Sequence, residues 1–237
     1  MAHAKACGFR RANQAKSGAM IGRGLAVRTA RRTLGAMRYT SILLLGAPGA
    51  GKGTQGKMLA GINGFCHSSS GDIFRALDTT SEMGRTFAQY SSRGELVPDK
   101  FTIELWKQHM KAQERAGTFN PARDLLILDG IPRNVAQARM LDDTIDVAKV
   151  IYLQCQDMNK MVQRLKGRAL KENRVDDADE NVIRNRLEVY AKNTEPLLSH
   201  YPAEKLARVE ATQTPMEVFR DIVNIVTPIK VTFERAS

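Results

Sequence analysis

The sequence predicts an α/β protein in which helices cover both faces of a central parallel sheet. Two observations lead to this prediction. Three short apolar runs, at Ile42–Leu45, Leu125–Leu128 and Val150–Leu153, have the length of buried strands, and helix-like segments separate them. A glycine-rich loop also joins the first run directly to a segment with helical character. With 237 residues, the chain is long enough to form one large domain of this class.

The first strand leads into a loop, Gly46–Thr54, that reads Gly-Ala-Pro-Gly-Ala-Gly-Lys-Gly-Thr. Glycines in this pattern let main-chain N–H groups turn toward anionic oxygen atoms. The helix predicted over Thr54–Ala60 directs the positive end of its dipole at the same place. Lys52 adds a mobile cation. The loop therefore predicts a site for a polyphosphate.

The residue that follows Lys52 indicates how a Mg²⁺ ion would be held. The strict motif has a hydroxyl side chain there that ligates Mg²⁺, whereas this chain has Gly53, and the hydroxyl comes one residue later at Thr54. We therefore expect Mg²⁺ to be held largely through water, with Thr54 as a candidate ligand.

Two later segments each place an arginine beside a glycine turn. His67–Ala76 contains a small-residue turn and a helix start before Arg75. Leu125–Asn134 ends a buried strand at Asp129 and then turns through glycine and proline to Arg133. Arginines held beside such turns are suited to bind phosphate.

Arginine and aspartate recur between residues 164 and 186. They include Arg164, Arg168, Arg174, Asp176, Asp177, Arg184 and Arg186. So many guanidinium groups in a chain with a phosphate loop predict phosphoryl transfer, because that reaction depends on charge stabilisation more than on covalent chemistry. By helical spacing Arg184 faces away from Arg186 and is expected to be solvated. The two aspartates also suit a cap for the helix that starts near Asp179.

Four ordered motifs closely resemble the adenylate kinase family of nucleoside monophosphate kinases, over about residues 40–226. They are Gly46–Thr54, Ser70-Gly71-Asp72…Arg75, Asp129-Gly130-Ile131-Pro132-Arg133…Gln137, and Arg164…Arg168…Arg174-Val175-Asp176-Asp177. The resemblance implies a P-loop nucleoside kinase fold with a monophosphate-binding arm at about 69–98 and a lid at about 165–178. It also implies the reversible reaction of MgATP with AMP to give two ADP. Because only five residues separate Arg168 from Arg174, the lid is of the short type.

The same resemblance implies site residues. Those for ATP are Gly46, Gly49, Ala50, Gly51, Lys52, Gly53, Thr54, Arg164 and Gln213. Those for AMP are Ser70, Gly71, Arg75, Glu95, Val97, Gly130, Arg133, Gln137, Arg174 and Arg186. The catalytic set is Lys52, Arg133, Arg168, Arg174 and Arg186. Asp129 would orient the water ligands of Mg²⁺, the implied cofactor, and Asp176 and Asp177 would position the lid arginines.

Two residues bear on which monophosphate is accepted. In the family, a small hydroxyl residue at Ser70 and a glutamine at Gln137 select adenine, whereas uridylate–cytidylate kinases typically carry asparagine at the second position. Gln137 therefore favours AMP, and a pyrimidine monophosphate kinase is the alternative. A GTPase is disfavoured because the chain has no Asn-Lys-x-Asp segment. A basic nucleic-acid-binding ATPase is an alternative from a different class.

The net charge of +11 is concentrated at the N-terminus. Residues 1–38 hold nine Lys or Arg and no Asp or Glu, whereas the other residues hold 27 basic and 25 acidic side chains. A body so close to neutrality lacks the field of a dedicated nucleic-acid binder. The leader, rich in Arg, Ala and Gly, has the composition of an organellar transit peptide. We therefore expect the mitochondrial matrix or the chloroplast stroma, and the alternative is a basic arm that stays attached.

The remaining composition limits domains and partners. No apolar stretch approaches the ~20 residues that cross a bilayer. The three cysteines show no spacing for a zinc site or a disulfide framework. We predict one kinase domain over residues 39–227, a tail over 228–237 with no assigned function, and a monomer that binds ATP, AMP and ADP but neither nucleic acid nor membrane.

Overall fold

A computed structural model of the chain describes residues 38–155, 157–172, 177 and 179–236, without the side chains of residues 158, 171 and 172. The predicted leader, apart from Arg38, therefore lies outside the described residues, as do Arg174 and Asp176. Within the described part, the chain forms five strands: β1 Tyr39–Gly46, β2 Phe65–Ser69, β3 Leu125–Asp129, β4 Ile145–Gln154 and β5 Leu206–Glu210.

The five strands form one parallel sheet in the order β2-β3-β1-β4-β5. The three apolar runs of the sequence are the three inner strands. The two edge strands carry more polar residues, because an edge strand is less enclosed. In the register of β1 and β3, Leu44 lies beside Asp129, so the glycine loop and the turn after Asp129 leave the same edge of the sheet.

Nine α-helices connect or flank the strands in the described part of the chain. They are α1 Lys52–Ala60, α2 Ser70–Arg75, α3 Glu82–Ser91, α4 Asp99–Arg115, α5 Val135–Leu141, α6 Met158–Glu172, α7 Glu180–Val189, α8 Leu197–His200 and α9 Pro215–Ala236. A π-helical segment, Tyr190–Thr194, follows α7, and a 3₁₀ turn, Ala203–Lys205, precedes β5. Among the described residues, no helix is long and apolar enough to cross a membrane.

Alternate strand residues point into two separate cores. Ile42 and Leu44 of β1 pack with α1, α6, α7 and α9, whereas Leu43 and Leu45 pack with α4, α5 and α8. This period of two is what a strand buried on both faces requires. The predicted fold class, a parallel sheet with helices on both faces, is therefore confirmed.

The predicted arm, residues 69–98, has a small core of its own. Phe74 of α2 is buried with Val97 and stacks on Phe87 of α3 at a centroid distance of 5.0 Å. Phe101, at the start of α4, packs on the other side of Phe74. This cluster is distinct from the two cores at the sheet, and because it includes Leu105 it packs the arm against α4.

The boundary predicted at residue 227 needs correction. Helix α9 runs without interruption through Pro228 to Ala236. Within it, the Lys230 ammonium donates to the main-chain oxygen of Arg123 at 3.1 Å and lies over the ring of Phe65. Residues 228–236 therefore continue the last helix of the domain and do not form a separate tail. The family motifs end before this helix does, which is why the sequence pattern missed its length.

Candidate nucleotide site

A cavity of about 960 Å³ lies at the carboxyl ends of the strands, where ligands bind in open α/β sheets. It is lined by the glycine loop, the arm, the turn after β3, α6, α7 and the segment before α9. The described residues of the predicted site that line it are Gly46, Gly49, Ala50, Gly51, Lys52, Gly53, Thr54, Gly71, Arg75, Glu95, Val97, Asp129, Gly130, Arg133, Gln137, Arg164, Arg168, Arg186 and Gln213. Residues predicted from segments far apart in the chain therefore line the same cavity.

The glycine loop holds its shape through residues with positive φ, Gly46, Gly49 and Gly51. Gly49 has φ +87°, and a Cβ there would lie 3.1 Å from the main-chain oxygen of Met161. Gly51, at φ +96°, immediately precedes α1 and has no side chain to cap the first amides of the helix. These amides and the helix dipole are therefore directed at the cavity, as the phosphate-binding prediction requires.

Lys52 lies inside this loop. Its ammonium donates to the main-chain oxygens of Gly46 at 2.7 Å and Ala47 at 3.1 Å. Burial lowers the pKa of Lys52 to about 8; the charge of Asp129 opposes this shift, and the nearby arginines of the cavity strengthen it. An anionic ligand would reverse the shift, because it would restore a counter-charge to the ammonium.

Asp129 is buried at the end of β3 and faces the loop. A Cβ on Gly53 would lie 3.5 Å from its Oδ2, and the His67 Nε2 lies 3.8 Å from the same oxygen. Burial by itself would raise the pKa of Asp129, but the facing His67 ring and the charges of Lys52 and Arg133 hold it below its usual value. The carboxylate is therefore ionised at neutral pH.

Two arginines, Arg75 and Arg133, reach the cavity from the segments in which each stands beside a glycine turn. Arg75 pairs with Asp72 on α2, and its guanidinium lies against Gly71. Arg133 donates from Nε to the main-chain oxygen of Gly130 at 2.8 Å. The Thr194 hydroxyl, on the π-helical segment, donates to the main-chain oxygen of Arg133 at 2.7 Å. Both arginines are thus placed by their immediate surroundings, as their glycine turns predict.

The lid arginines converge on one carboxylate. Asp177 is fully buried and bridges Arg168, at 2.6 Å from Nη2, and Arg186. Both arginines are close enough to Lys52 to affect its pKa. Arg186 thus lines the cavity together with Arg168. Arg184 lies on the exposed face of α7, paired with Glu180, as its spacing predicts.

A third part of the cavity lies between α6 and the segment before α9. Arg164 donates from Nη1 to the main-chain oxygen of Ala211 at 2.8 Å. Gln213 donates to Asp221 at 3.0 Å and borders the same part of the cavity. The buried side chain of Gln55, from α1, donates to the main-chain oxygen of Pro215 at 2.9 Å and ties this segment to the phosphate loop.

The surroundings of Ser70 and Gln137 bear on their predicted roles in selecting adenine. Ser70 is buried and is not among the residues that line the cavity; its hydroxyl donates to the main-chain oxygen of Gly130 at 2.6 Å. Gln137 lines the cavity, but its amide already has two protein partners, the main-chain N–H of Arg133 and the carboxylate of Asp99. These two bonds hold the amide in place, and the role of Gln137 in selecting adenine stays a prediction.

Sequence reasoning missed three residues that support the site. Asp99 contacts Gln137, Thr194 holds the main chain of Arg133, and Gln55 holds the segment before α9. Asp99 and Thr194 lie outside the glycine-rich motifs, and Gln55 directly follows the phosphate loop. The local pattern of α1 does not separate Gln55 from its polar neighbours.

Comparison with known proteins agrees with this geometry. The family model described as "Adenylate kinase" matches residues 44–206 of the chain. A relative from Kocuria rhizophila, named adenylate kinase, is 39% identical over 167 residues, which cover 68% of this chain and 85% of the relative.

Two further relatives carry the same name. The protein from Flavobacterium psychrophilum is 37% identical over 171 residues, covering 70% of this chain and 86% of its own length. That from Synechococcus sp. strain CC9311 is 40% identical over 166 residues, covering 68% and 83% respectively.

Proposed function

The chain belongs to the adenylate kinase family, and from that premise we propose how its residues carry out the reaction. Its activity is that of an enzyme that transfers the terminal phosphoryl group of ATP to AMP, reversibly, to give two ADP. The comparisons give no support to the pyrimidine alternative. The observation that carries the proposal is one cavity that joins the phosphate loop, the two acceptor arginines and the two lid arginines.

ATP occupies the part of the cavity formed by the loop and the segment before α9. The main-chain N–H groups of Gly46–Thr54 and the Lys52 ammonium bind its phosphates. Arg164 and Gln213 border the space for its base and sugar. The Lys52 ammonium bonds to the carbonyl groups of its own loop, and ATP would exchange those contacts for phosphate oxygens.

AMP occupies the part bordered by the arm and the turn after β3. Arg75 and Arg133 bind its phosphate and aim one of its oxygens at the terminal phosphorus of ATP. Gly71, Glu95, Val97, Gly130 and Gln137 border the rest of the nucleotide. The attacking oxygen belongs to an ionised phosphate, so no general base is required.

Transfer forms a bond from this oxygen to the terminal phosphorus and breaks the bond to the oxygen that becomes part of ADP. Negative charge spreads over the transferred group, and Lys52, Arg168 and Arg186 stabilise it. Asp177 holds the two arginines at one carboxylate, which reduces the cost of reorganising them. We include Arg174 in this catalytic set on the basis of the family pattern; it lies outside the described residues.

The residues near the loop fit a magnesium ion held through water. Asp129 is ionised and faces Gly53, and Thr54 lines the cavity. Among the described residues there is no cluster of three His, Cys, Asp or Glu that would hold a metal by protein ligands alone. Mg²⁺ bound to the ATP phosphates would supply additional positive charge to the transferred group. Asp129 would accept hydrogen bonds from its water ligands.

Closure of the lid over the cavity excludes water, which is a competing acceptor for the phosphoryl group.

A substrate comparison tests the proposal. We expect ATP-dependent phosphorylation of AMP to exceed that of UMP and CMP by at least about a hundredfold in kcat/KM. Lys52→Met should abolish transfer to all three, while Arg184→Ala, on the solvated face of α7, serves as the matched control and leaves it unchanged. A preference for UMP would contradict the proposal.

We further propose that the protein works as a monomer in an organelle, the mitochondrial matrix or the chloroplast stroma, and binds neither nucleic acid nor membrane. The acid-free basic segment 1–38 supports the first point, and the near-neutral charge of the remaining chain supports the last. Sequencing the N-terminus of the mature protein and imaging a fluorescent fusion in cells test the location. Retention of the intact leader on a cytosolic protein would contradict it.

A further inference from the structure

We propose that Asp99 is a positioning residue that fixes the side-chain amide of Gln137 in one orientation and thereby sets the preference of the acceptor site for adenine. The proposal rests on the proposed function, because it concerns how AMP is selected. Asp99 is the first residue of α4, and Gln137 lies on α5. No motif that carries the family resemblance contains Asp99.

The hydrogen bonds around Gln137 determine which way its amide faces. Gln137 Nε2 donates to Asp99 Oδ1 at 2.8 Å, and Gln137 Oε1 accepts from the main-chain N–H of Arg133, also at 2.8 Å. A carboxylate at neutral pH can only accept, and a main-chain N–H can only donate. If the amide turned over so that its oxygen and nitrogen changed places, both bonds would break. Two donors would then face each other at the Arg133 N–H, and two acceptors at the Asp99 carboxylate.

Asp99 is itself held in place by a neighbouring residue. Its Oδ1 also accepts from Asn134 Nδ2 at 2.8 Å, and Asn134 Oδ1 accepts from the main-chain N–H of Gln137 at the start of α5. The three side chains thus form a closed set of bonds between the first turns of α4 and α5. Gln137 is fully buried, so no solvent competes for these bonds.

The fixed amide keeps one N–H and one oxygen lone pair for a ligand. Adenine offers a matching edge, because its 6-amino group donates and its N1 accepts. Hypoxanthine has the same size and shape but the reverse pattern, since its 6-oxygen accepts and its N1–H donates. An amide that cannot turn therefore favours AMP over IMP, and the discrimination depends on the two bonds that prevent the turn.

The test compares AMP and IMP as acceptors in the full chain, with ATP as donor and the nucleoside diphosphates separated by anion-exchange chromatography. Asp99→Leu keeps the approximate volume of the side chain but removes the acceptor, so one of the two bonds that fix the amide is lost. Because one buried hydrogen bond contributes about tenfold to an equilibrium, we expect the ratio of kcat/KM for AMP to that for IMP to fall about tenfold. Asp99→Asn keeps an oxygen acceptor and should retain the ratio within about twofold.

The AMP-to-IMP ratio separates positioning from a purely structural role. A general loss of packing would lower kcat/KM for AMP and for IMP by the same factor. The ratio would then stay unchanged, and this result would overturn the proposal. An equal fall in Asp99→Asn and Asp99→Leu would also overturn it. Asp99→Ala provides a second acceptor-free variant if the leucine chain does not fold, with melting temperature as the check. A wild-type protein that makes no ADP from ATP and AMP would instead refute the proposed function.

Discussion

The lowered pKa of Lys52 predicts that ATP binding weakens as the pH rises from about 7 to about 9. In the protein without nucleotide, burial and the neighbouring arginines lower the pKa of this lysine to about 8. ATP phosphates stabilise the protonated form, so the pKa rises again when ATP binds. Below pH 8 the ammonium is protonated in both states. Above pH 8 the unliganded protein has lost this proton and must take one up to bind.

The size of the effect follows from the protonated fraction. With a pKa of about 8, roughly nine-tenths of Lys52 is protonated at pH 7 and roughly one-tenth at pH 9. If only the protonated form binds tightly, the Kd for MgATP should rise about tenfold between these values. ATP phosphates are already ionised in this range, so the ligand contributes little to the change.

Isothermal titration calorimetry at pH 7, 8 and 9 measures this change, and repeating it in buffers of different ionisation enthalpy counts the protons taken up. We expect uptake of close to one proton per ATP at pH 9 and close to none at pH 7. Lys52→Met should bind more weakly at every pH, with no proton uptake that depends on pH. The same pH dependence in wild type and Lys52→Met would show that Lys52 is not the group that titrates.

Four further experiments test the rest of the site and the anchoring of the end of α9. Arg133→Ala should lower kcat/KM for AMP by at least about a hundredfold while the Kd for ATP stays within about twofold; an equal loss of ATP affinity would place this arginine in the other subsite. Asp177→Asn should lower kcat more than about tenfold, because Arg168 and Arg186 lose their shared carboxylate, whereas Glu180→Gln on the exposed face should leave kcat unchanged. Lys230→Met should reduce the free energy of unfolding by about 1 kcal/mol in urea titrations, through loss of its bond to Arg123, with activity retained; no change would mean that the end of α9 is not anchored there. A compound of two adenosines joined by five phosphates should bind with one-to-one stoichiometry and compete with ATP and AMP alike; competition with only one of them would contradict a joined site.

The sequence identified the centre of the fold and most of the site because both depend on local patterns. Buried strands such as Leu125–Leu128 are continuous apolar runs, and the phosphate loop needs glycines at fixed spacing. Arg75 and Arg133 were recognisable because each stands beside a turn that fixes it. These features are encoded within about ten residues of chain, so a single sequence is enough to find them.

What the sequence did not reveal depends on contacts between distant segments. Asp99 and Gln137 are 38 residues apart and meet only because α4 and α5 pack side by side. Thr194 reaches Arg133 across 61 residues, from a π-helical segment that has no clear sequence signal. Ser70 shows the same dependence, because its hydroxyl donates to the carbonyl of Gly130, a contact that the motif does not specify. A motif gives residue types, but the packing decides which polar group each one meets.

The number of ADP molecules formed per ATP consumed shows whether the cavity passes the phosphoryl group to AMP and keeps it from water. With purified protein, Mg²⁺, ATP and AMP, we predict two ADP for each ATP consumed, no release of inorganic phosphate, and no reaction when AMP is omitted. One ADP and one inorganic phosphate per ATP, at a rate independent of AMP, would contradict the account.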